Sequence, residues 1–323
     1  MIVYVAYCYV NIICIEQNRK AIMQKEENMN KLGIFMNFWE NNWGADHIKY
    51  IKKASDIGFD ILEFQAQPLL GMTNARMDEI RNTAAEYGIE LTYSLGLDKK
   101  YDISSTDENI RSGGIKYLTE IMNRVHYMGG KIISGVSYAG WGVPSGDFCK
   151  EKLRENSIKS MKTLMKTAEN FDITYAVEAV NRFEGVVINT AKEALDYVTE
   201  VGSKKIGILL DTYHMNIEEN NIGDAILLAD NRLVGFHTGE NNRTAPGRAH
   251  LDWNEIFSSL AKINYTGRIV SEPFVISGGE VGRDIYVWRN LVDDTSEKSI
   301  DDEARFLLNF EKKMLNKYFG GER

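Results

Sequence analysis

The chain has 323 residues, 44% of them hydrophobic and 26% charged, with a formal net charge of −8. That is enough chain to bury a large core without staples, and the acidic balance argues against a general binder of nucleic acid or anionic membrane. Three cysteines, Cys8, Cys14 and Cys149, show no spacing of a zinc site or disulfide framework, so the expected compartment is the reducing cytoplasm.

The first thirty residues stand apart. Ile2 to Ile15 is an apolar run, too short for a membrane span. It lacks the basic lead and small-residue cleavage site of a secretory signal. Glu16 to Asn30 is polar. The expectation is an N-terminal extension over residues 1–30 outside the fold, with Met23 or Met29 as alternative starts, and one catalytic domain over 31–323.

From Lys31 onward, β-branched or aromatic runs alternate with charged segments of helical period, the pattern of βα units on a parallel sheet. The expected strands are Gly33–Phe38, Asp60–Phe64, Glu90–Ser94, Lys131–Val136, Thr174–Ala179, Ile206–Asp211, Leu233–His237 and Arg268–Glu272. Helices are expected near Asp46–Ile57, Asn74–Tyr87, Asp107–Met128, Asp147–Asn170, Thr190–Val201, Asp224–Ala229, Trp253–Ile263 and Asp301–Tyr318. Gly58, Gly88, Gly129-Gly130, Gly202 and Gly267 suit helix C-caps, and Thr190 and Asp252 suit N-caps. Long loops are expected only after the seventh and eighth strands. Eight such rounds, with no glycine-rich phosphate loop after the first strand, point to a single (β/α)₈ TIM barrel rather than an open doubly wound sheet.

A barrel gathers its chemistry at the C-terminal ends of its strands. The second strand ends near Glu63. Four consecutive later strands carry Glu178, Asp211, His237 and Glu272 at their ends. Singly, each reads equally well as a helix cap or ion-pair partner. Together, three carboxylates this close repel one another, and a divalent cation resolves the conflict. Oxygen ligands with one imidazole suit Mn²⁺, Mg²⁺ or Co²⁺, with zinc an alternative. Asn181, Arg182, Glu184, His214, Arg243 and Arg248 crowd the same rim, with His214 readable as a helix-start residue and Arg248 as a surface charge. Trp39, Trp43, Trp141 and Phe274 are candidates for an apolar wall, or for core.

Four segments carry a family resemblance. Val177-Glu178-Ala179-Val180-Asn181-Arg182-Phe183-Glu184, Leu210-Asp211-Thr212-Tyr213-His214-Met215-Asn216-Ile217-Glu218-Glu219, His237-Thr238-Gly239-Glu240-Asn241-Asn242-Arg243 and Ser271-Glu272-Pro273-Phe274 resemble the ketose 3-epimerases, the D-tagatose and D-psicose (D-allulose) 3-epimerase family of the xylose-isomerase-like TIM barrels. The resemblance runs from about Lys31 to the last helix. It implies one Mn²⁺ or Co²⁺ held by Glu178, Asp211, His237 and Glu272. It implies that Glu184, His214 and Arg243 hold the O1–O3 end of a ketose, and that the protein is a homodimer or homotetramer. Phe35 stands where the family often has Tyr, and Gln65-Ala66-Gln67 replaces a smaller apolar set; both are expected near the distal sugar hydroxyls.

The implied reaction inverts C3 of a free ketohexose, D-fructose/D-psicose or D-tagatose/D-sorbose. Glu178 and Glu272 exchange protons with C3 on opposite faces of a cis-enediolate. The rivals are an aldose–ketose, hydroxypyruvate or inosose isomerase of the same barrel, an apurinic-type endonuclease barrel, and a sugar-binding barrel without turnover. Five histidines and an acidic balance disfavour the endonuclease.

Overall fold

Eight short runs that are buried on both faces make the wall of this protein. The computed structural model describes residues 30–320. Its strands are β1 (Leu32–Phe35), β2 (Ile61–Gln65), β3 (Glu90–Ser94), β4 (Ile132–Gly135), β5 (Thr174–Ala179), β6 (Ile206–Asp211), β7 (Leu233–Thr238) and β8 (Arg268–Ser271). Every residue of β1, β4 and β6 is buried, as a parallel sheet covered by helices requires. The strands pair in parallel and in order. The registers Gly33↔Ile61 and Gly33↔Val270 join β1 to both β2 and β8 and close the barrel.

The helices are α1 (His47–Ile57), α2 (Asn74–Glu86), α3 (Glu108–Tyr127), α4 (Lys150–Phe171), α5 (Ala191–Val201), α6 (Thr212–Glu218), α7 (Ile222–Ala229), α8 (Trp253–Lys262), α9 (Gly279–Asp284) and α10 (Glu297–Leu315). α5 shows why they pack: Ala191, Ala194, Tyr197, Val198 and Val201 make one buried stripe at helical spacing. Thr190 caps it by accepting from Glu193 N, and Asp252 caps α8 through Asn254 N and Glu255 N. No helix among the described residues is long and apolar enough to cross a membrane.

Several boundaries differ from the sequence expectation. β1 stops at Phe35, and Met36–Phe38 coil into a 3₁₀ turn. The Asn37 amide donates to Glu40 O and Asn42 O and turns the chain there. α6 is absent from the expected helices, although His214 read alternatively as a helix-start residue; the Asp211 side chain starts it by accepting from Tyr213 N. α10 begins earlier than Asp301, where Ser296 caps it. Gly267 does not cap α8. Asn264 takes the left-handed turn (φ 51°), while Gly267 lies where a Cβ would collide with the Tyr265 hydroxyl. The connection from β4 to α4 is as long as the one after β7. The expectations for the N-terminal extension, with Cys8 and Cys14, fall on residues 1–29, outside those described.

Candidate metal centre and active site

Strand alternation points four side chains into the mouth of the barrel. Glu178 lies next to last in β5, Asp211 ends β6, His237 is the fifth residue of β7, and Glu272 follows β8. All four are buried, and one ligand atom from each lies within 4.8 Å of the others. The strand registers set this convergence: Asp211 pairs with His237, and Glu272 N donates to Thr238 O at 2.8 Å.

The histidine is oriented from behind. Its Nε2 lies 3.0 Å from Glu63 Oε1, an ion pair buried on both sides. Glu63 Oε2 accepts from the Thr92 hydroxyl at 2.8 Å. This leaves Nδ1 facing the centre, 3.5 Å from Glu272 Oε2. A carboxylate behind a ligating imidazole fixes tautomer and ring plane. Burial alone would lower the His237 pKa, but the Glu63 and Glu272 carboxylates hold it well above the usual imidazole range. Glu63 is the main contributor that the sequence reading left without a role. Its signal was an acid inside the apolar run Ile61-Leu62-Glu63-Phe64.

The carboxylates are strained electrostatically. Burial, then the Glu272 charge, push Glu178 well above the usual carboxylate range. Burial also acts to raise Glu272, but the His237 imidazole 3.5 Å away, with the Arg243 charge, holds it below that range. Arg243 Nη1 sits 3.0 Å from Asp211 Oδ2 and 3.1 Å from Glu272 Oε2. Arg243 takes a left-handed backbone (φ 65°) and lies over the Tyr213 ring.

Glu178 Oε1 and His237 Nδ1 are buried with no hydrogen-bond partner among the described residues. Two unpartnered ligand atoms beside two further carboxylates form a donor set that fits one hard divalent cation. The four residues present therefore fit such an ion.

The centre opens into a cavity of about 850 Å³. Glu184, His214 and Arg243 line it beside the centre; Trp43, Trp141 and Phe274 form an aromatic wall; Gln65, at the end of β2, and Gln67 line it as well. His214 is in α6. Its Nδ1 accepts from the backbone amide of Asn181 at 3.2 Å, and its Nε2 lies 3.2 Å from Arg243 Nη2 and 3.5 Å from Glu178 Oε1. Burial and the Arg243 charge hold its pKa down to about 3. The Asn181 side-chain amide donates to Glu184 Oε1 at 2.9 Å. Trp141 N bonds Leu97 O and Gly142 N bonds Glu184 O, so the long loop after β4 is tied to its neighbours.

Some candidates are placed elsewhere. Phe35 is buried behind Phe274, edge to face at 5.8 Å, and does not line the cavity. Trp39 stacks on Tyr50 and donates to Asp301, away from the wall suggested for it. Arg182 turns outward to Glu218, and Arg248 pairs with Glu303.

Comparison with known proteins agrees with this geometry. Residues 51–309 match the family described as xylose isomerase-like TIM barrel. The chain is 39% identical to a D-psicose 3-epimerase of Enterocloster bolteae over 87% of this chain and 94% of that protein. It is 36% identical to a D-psicose 3-epimerase of Agrobacterium fabrum over 88% and 99%. The solved D-psicose 3-epimerase of Clostridium cellulolyticum H10 with D-tagatose superposes with a TM-score of 0.87 at 39% identity, over 88% of this chain and 99% of that one. The family-model match, these identities and the shared barrel place the chain in the xylose isomerase-like TIM barrel family and, within it, among the ketose 3-epimerases.

Proposed function

We propose that the protein is a metal-dependent isomerase that inverts C3 of free ketohexoses, with D-fructose/D-psicose and D-tagatose/D-sorbose as the expected pairs. One observation carries the reading. Glu178, in β5, and Glu272, directly after β8 three strands further around the barrel, converge on one buried centre.

Glu178, Asp211, His237 and Glu272 would hold the cation, with Mn²⁺ first and Co²⁺ or Mg²⁺ as alternatives. When bound, it supplies a Lewis acid that stabilises negative charge on the oxygens of the reacting ketose. The C3 proton lies α to the C2 carbonyl. One glutamate removes it, and the other returns a proton to the opposite face of the enediolate, inverting the carbon. The neutral His214 and the Arg243 guanidinium orient the C1–C3 end and offset charge at O2. Glu184, held by Asn181, accepts from a sugar hydroxyl. Trp43, Trp141 and Phe274 pack on C–H faces and keep water from C3. We propose further that the protein is cytoplasmic and works as a homodimer or homotetramer, and that residues 1–30 lie outside the barrel.

The test is incubation of the Mn²⁺-loaded protein with D-fructose, D-tagatose and L-ribulose in D₂O, followed by chromatography. The expected product is the C3 epimer carrying one deuterium at C3. An aldose product, or label at C1 alone, overturns the reading in favour of an aldose–ketose isomerase.

A further inference from the structure

The buried stripe of α10 consists of Ile300, Ala304, Leu307, Leu308, Glu311, Met314 and Leu315. Six of these suit the gap between a helix and a barrel wall. Glu311 does not: it is fully buried, and a carboxylate there costs desolvation that an apolar residue avoids.

Its partners show why it is tolerated. Glu311 Oε1 accepts from the Thr238 hydroxyl at 2.5 Å and the Ser271 hydroxyl at 2.8 Å. The two hydroxyls are 3.2 Å apart, and the two residues pair across β7 and β8. Each is the chain neighbour of a residue of the centre: Thr238 follows His237, and Ser271 precedes Glu272. Side chains alternate along a strand. The same backbone that turns Thr238 and Ser271 out to the helix therefore turns His237 and Glu272 in to the centre. One oxygen of Glu311 binds the ends of both strands.

We infer that Glu311 is a positioning residue for the metal centre, fixing the register and tilt of the β7 and β8 ends so that His237 and Glu272 keep their separation. The inference rests on the metal reading given above. A buried polar network of this kind adds little net stability over an apolar replacement, but it does select one arrangement. A purely structural role predicts the opposite balance, with stability lost and the centre unchanged.

Two variants separate these outcomes. Glu311→Gln keeps an acceptor. The triple variant Glu311→Met, Thr238→Val, Ser271→Ala replaces the carboxylate and both hydroxyls that it accepts from with apolar groups. Chelator-stripped proteins are titrated with Mn²⁺ by calorimetry, and Tm is recorded with and without saturating Mn²⁺. The triple variant is expected to keep or raise the metal-free Tm while binding Mn²⁺ about 10- to 100-fold more weakly, the range for losing an outer-shell partner. Its metal-induced rise in Tm shrinks accordingly. Glu311→Gln is expected to bind close to the parent. A triple variant that binds Mn²⁺ within twofold of the parent overturns the assignment, and so does one that fails to fold while Glu311→Gln binds normally at a reduced Tm. A parent protein that takes up no Mn²⁺ removes the centre itself, a different failure.

Discussion

Glu63 Oε1 and His237 Nε2 lie 3.0 Å apart and wholly inside the barrel. The pair commits His237 to present Nδ1 to the centre. Glu63→Leu should leave the imidazole free to rotate and take either tautomer, and metal affinity should fall about 10- to 100-fold. Calorimetric titration of the stripped variant checks this. An unchanged affinity would mean that Glu63 is only a packing charge.

Glu178 and Glu272 should fail in different ways. Replacing either by Gln should reduce epimerisation by at least about 100-fold. If each serves one face of C3, Glu178→Gln should still exchange the C3 proton with solvent from one epimer and not the other, and Glu272→Gln should show the reverse preference. NMR of each epimer in D₂O with each Mn²⁺-loaded variant reads this. Exchange of both epimers in one variant would falsify the two-acid assignment.

Removing the cation should destabilise as well as inactivate. The centre gathers three carboxylates, and an ion that binds only the folded state adds about 2.7 kcal/mol at one hundred times its Kd. Dialysis against a chelator should lower Tm, and Mn²⁺ should restore both Tm and turnover. Full turnover after exhaustive stripping would rule the metal out.

His47 lies at the start of α1, buried against the Phe64 ring at 4.4 Å. Burial, with the Arg76 charge, lowers its pKa to about 4. The folded value lies below the unfolded one of about 6.5, so the unfolded chain takes up the proton first as pH falls. The contribution of His47 is complete above about pH 6.5 and is lost between there and pH 4, at up to about 1.4 kcal/mol per pH unit. His47→Phe should flatten that part of the stability profile, measured by urea unfolding at pH 7 and pH 5. An equal loss in parent and variant would place the acid sensitivity elsewhere.

Gln67 donates its amide to Gly96 O at 2.9 Å, while Oε1 is buried without a partner among the described residues. Gln67 itself lines the cavity, and a small turn of its amide would offer this unpartnered acceptor to a distal sugar hydroxyl. Gln67→Leu should raise KM for the ketose that uses it by about 1–2 kcal/mol while leaving kcat near the parent value, and should change the ranking of ketohexoses. Equal effects on every ketose tested would remove Gln67 from selectivity.

The strands were legible because a parallel sheet buried on both faces leaves continuous apolar runs, and Ile206–Asp211 is one. The acids were legible because each closes such a run. Three things were not. The seven-residue helix holding His214 depends on the Asp211 side chain capping it, and that residue also belongs to the metal cluster. Trp39 and Trp43 look alike in sequence, but the 3₁₀ turn at Met36–Phe38 sends one to Tyr50 and the other to the cavity. Glu63 and Glu311 act through partners far away in the chain, His237 and the Thr238–Ser271 pair. Neither helical nor strand periodicity encodes such distant pairings.

Of the five tryptophans, Trp43 and Trp141 line the cavity with ring centroids 6.3 Å apart. Trp43 also donates its indole N–H to Asp284 at 2.9 Å. Trp39 and Trp253 are packed elsewhere, and Trp288 stands in solvent. Intrinsic emission therefore combines a steady background with one pair that senses whatever enters the mouth. The protein carries its own optical reporter, and sugars that bind without reacting can be ranked by unlabelled fluorescence titration.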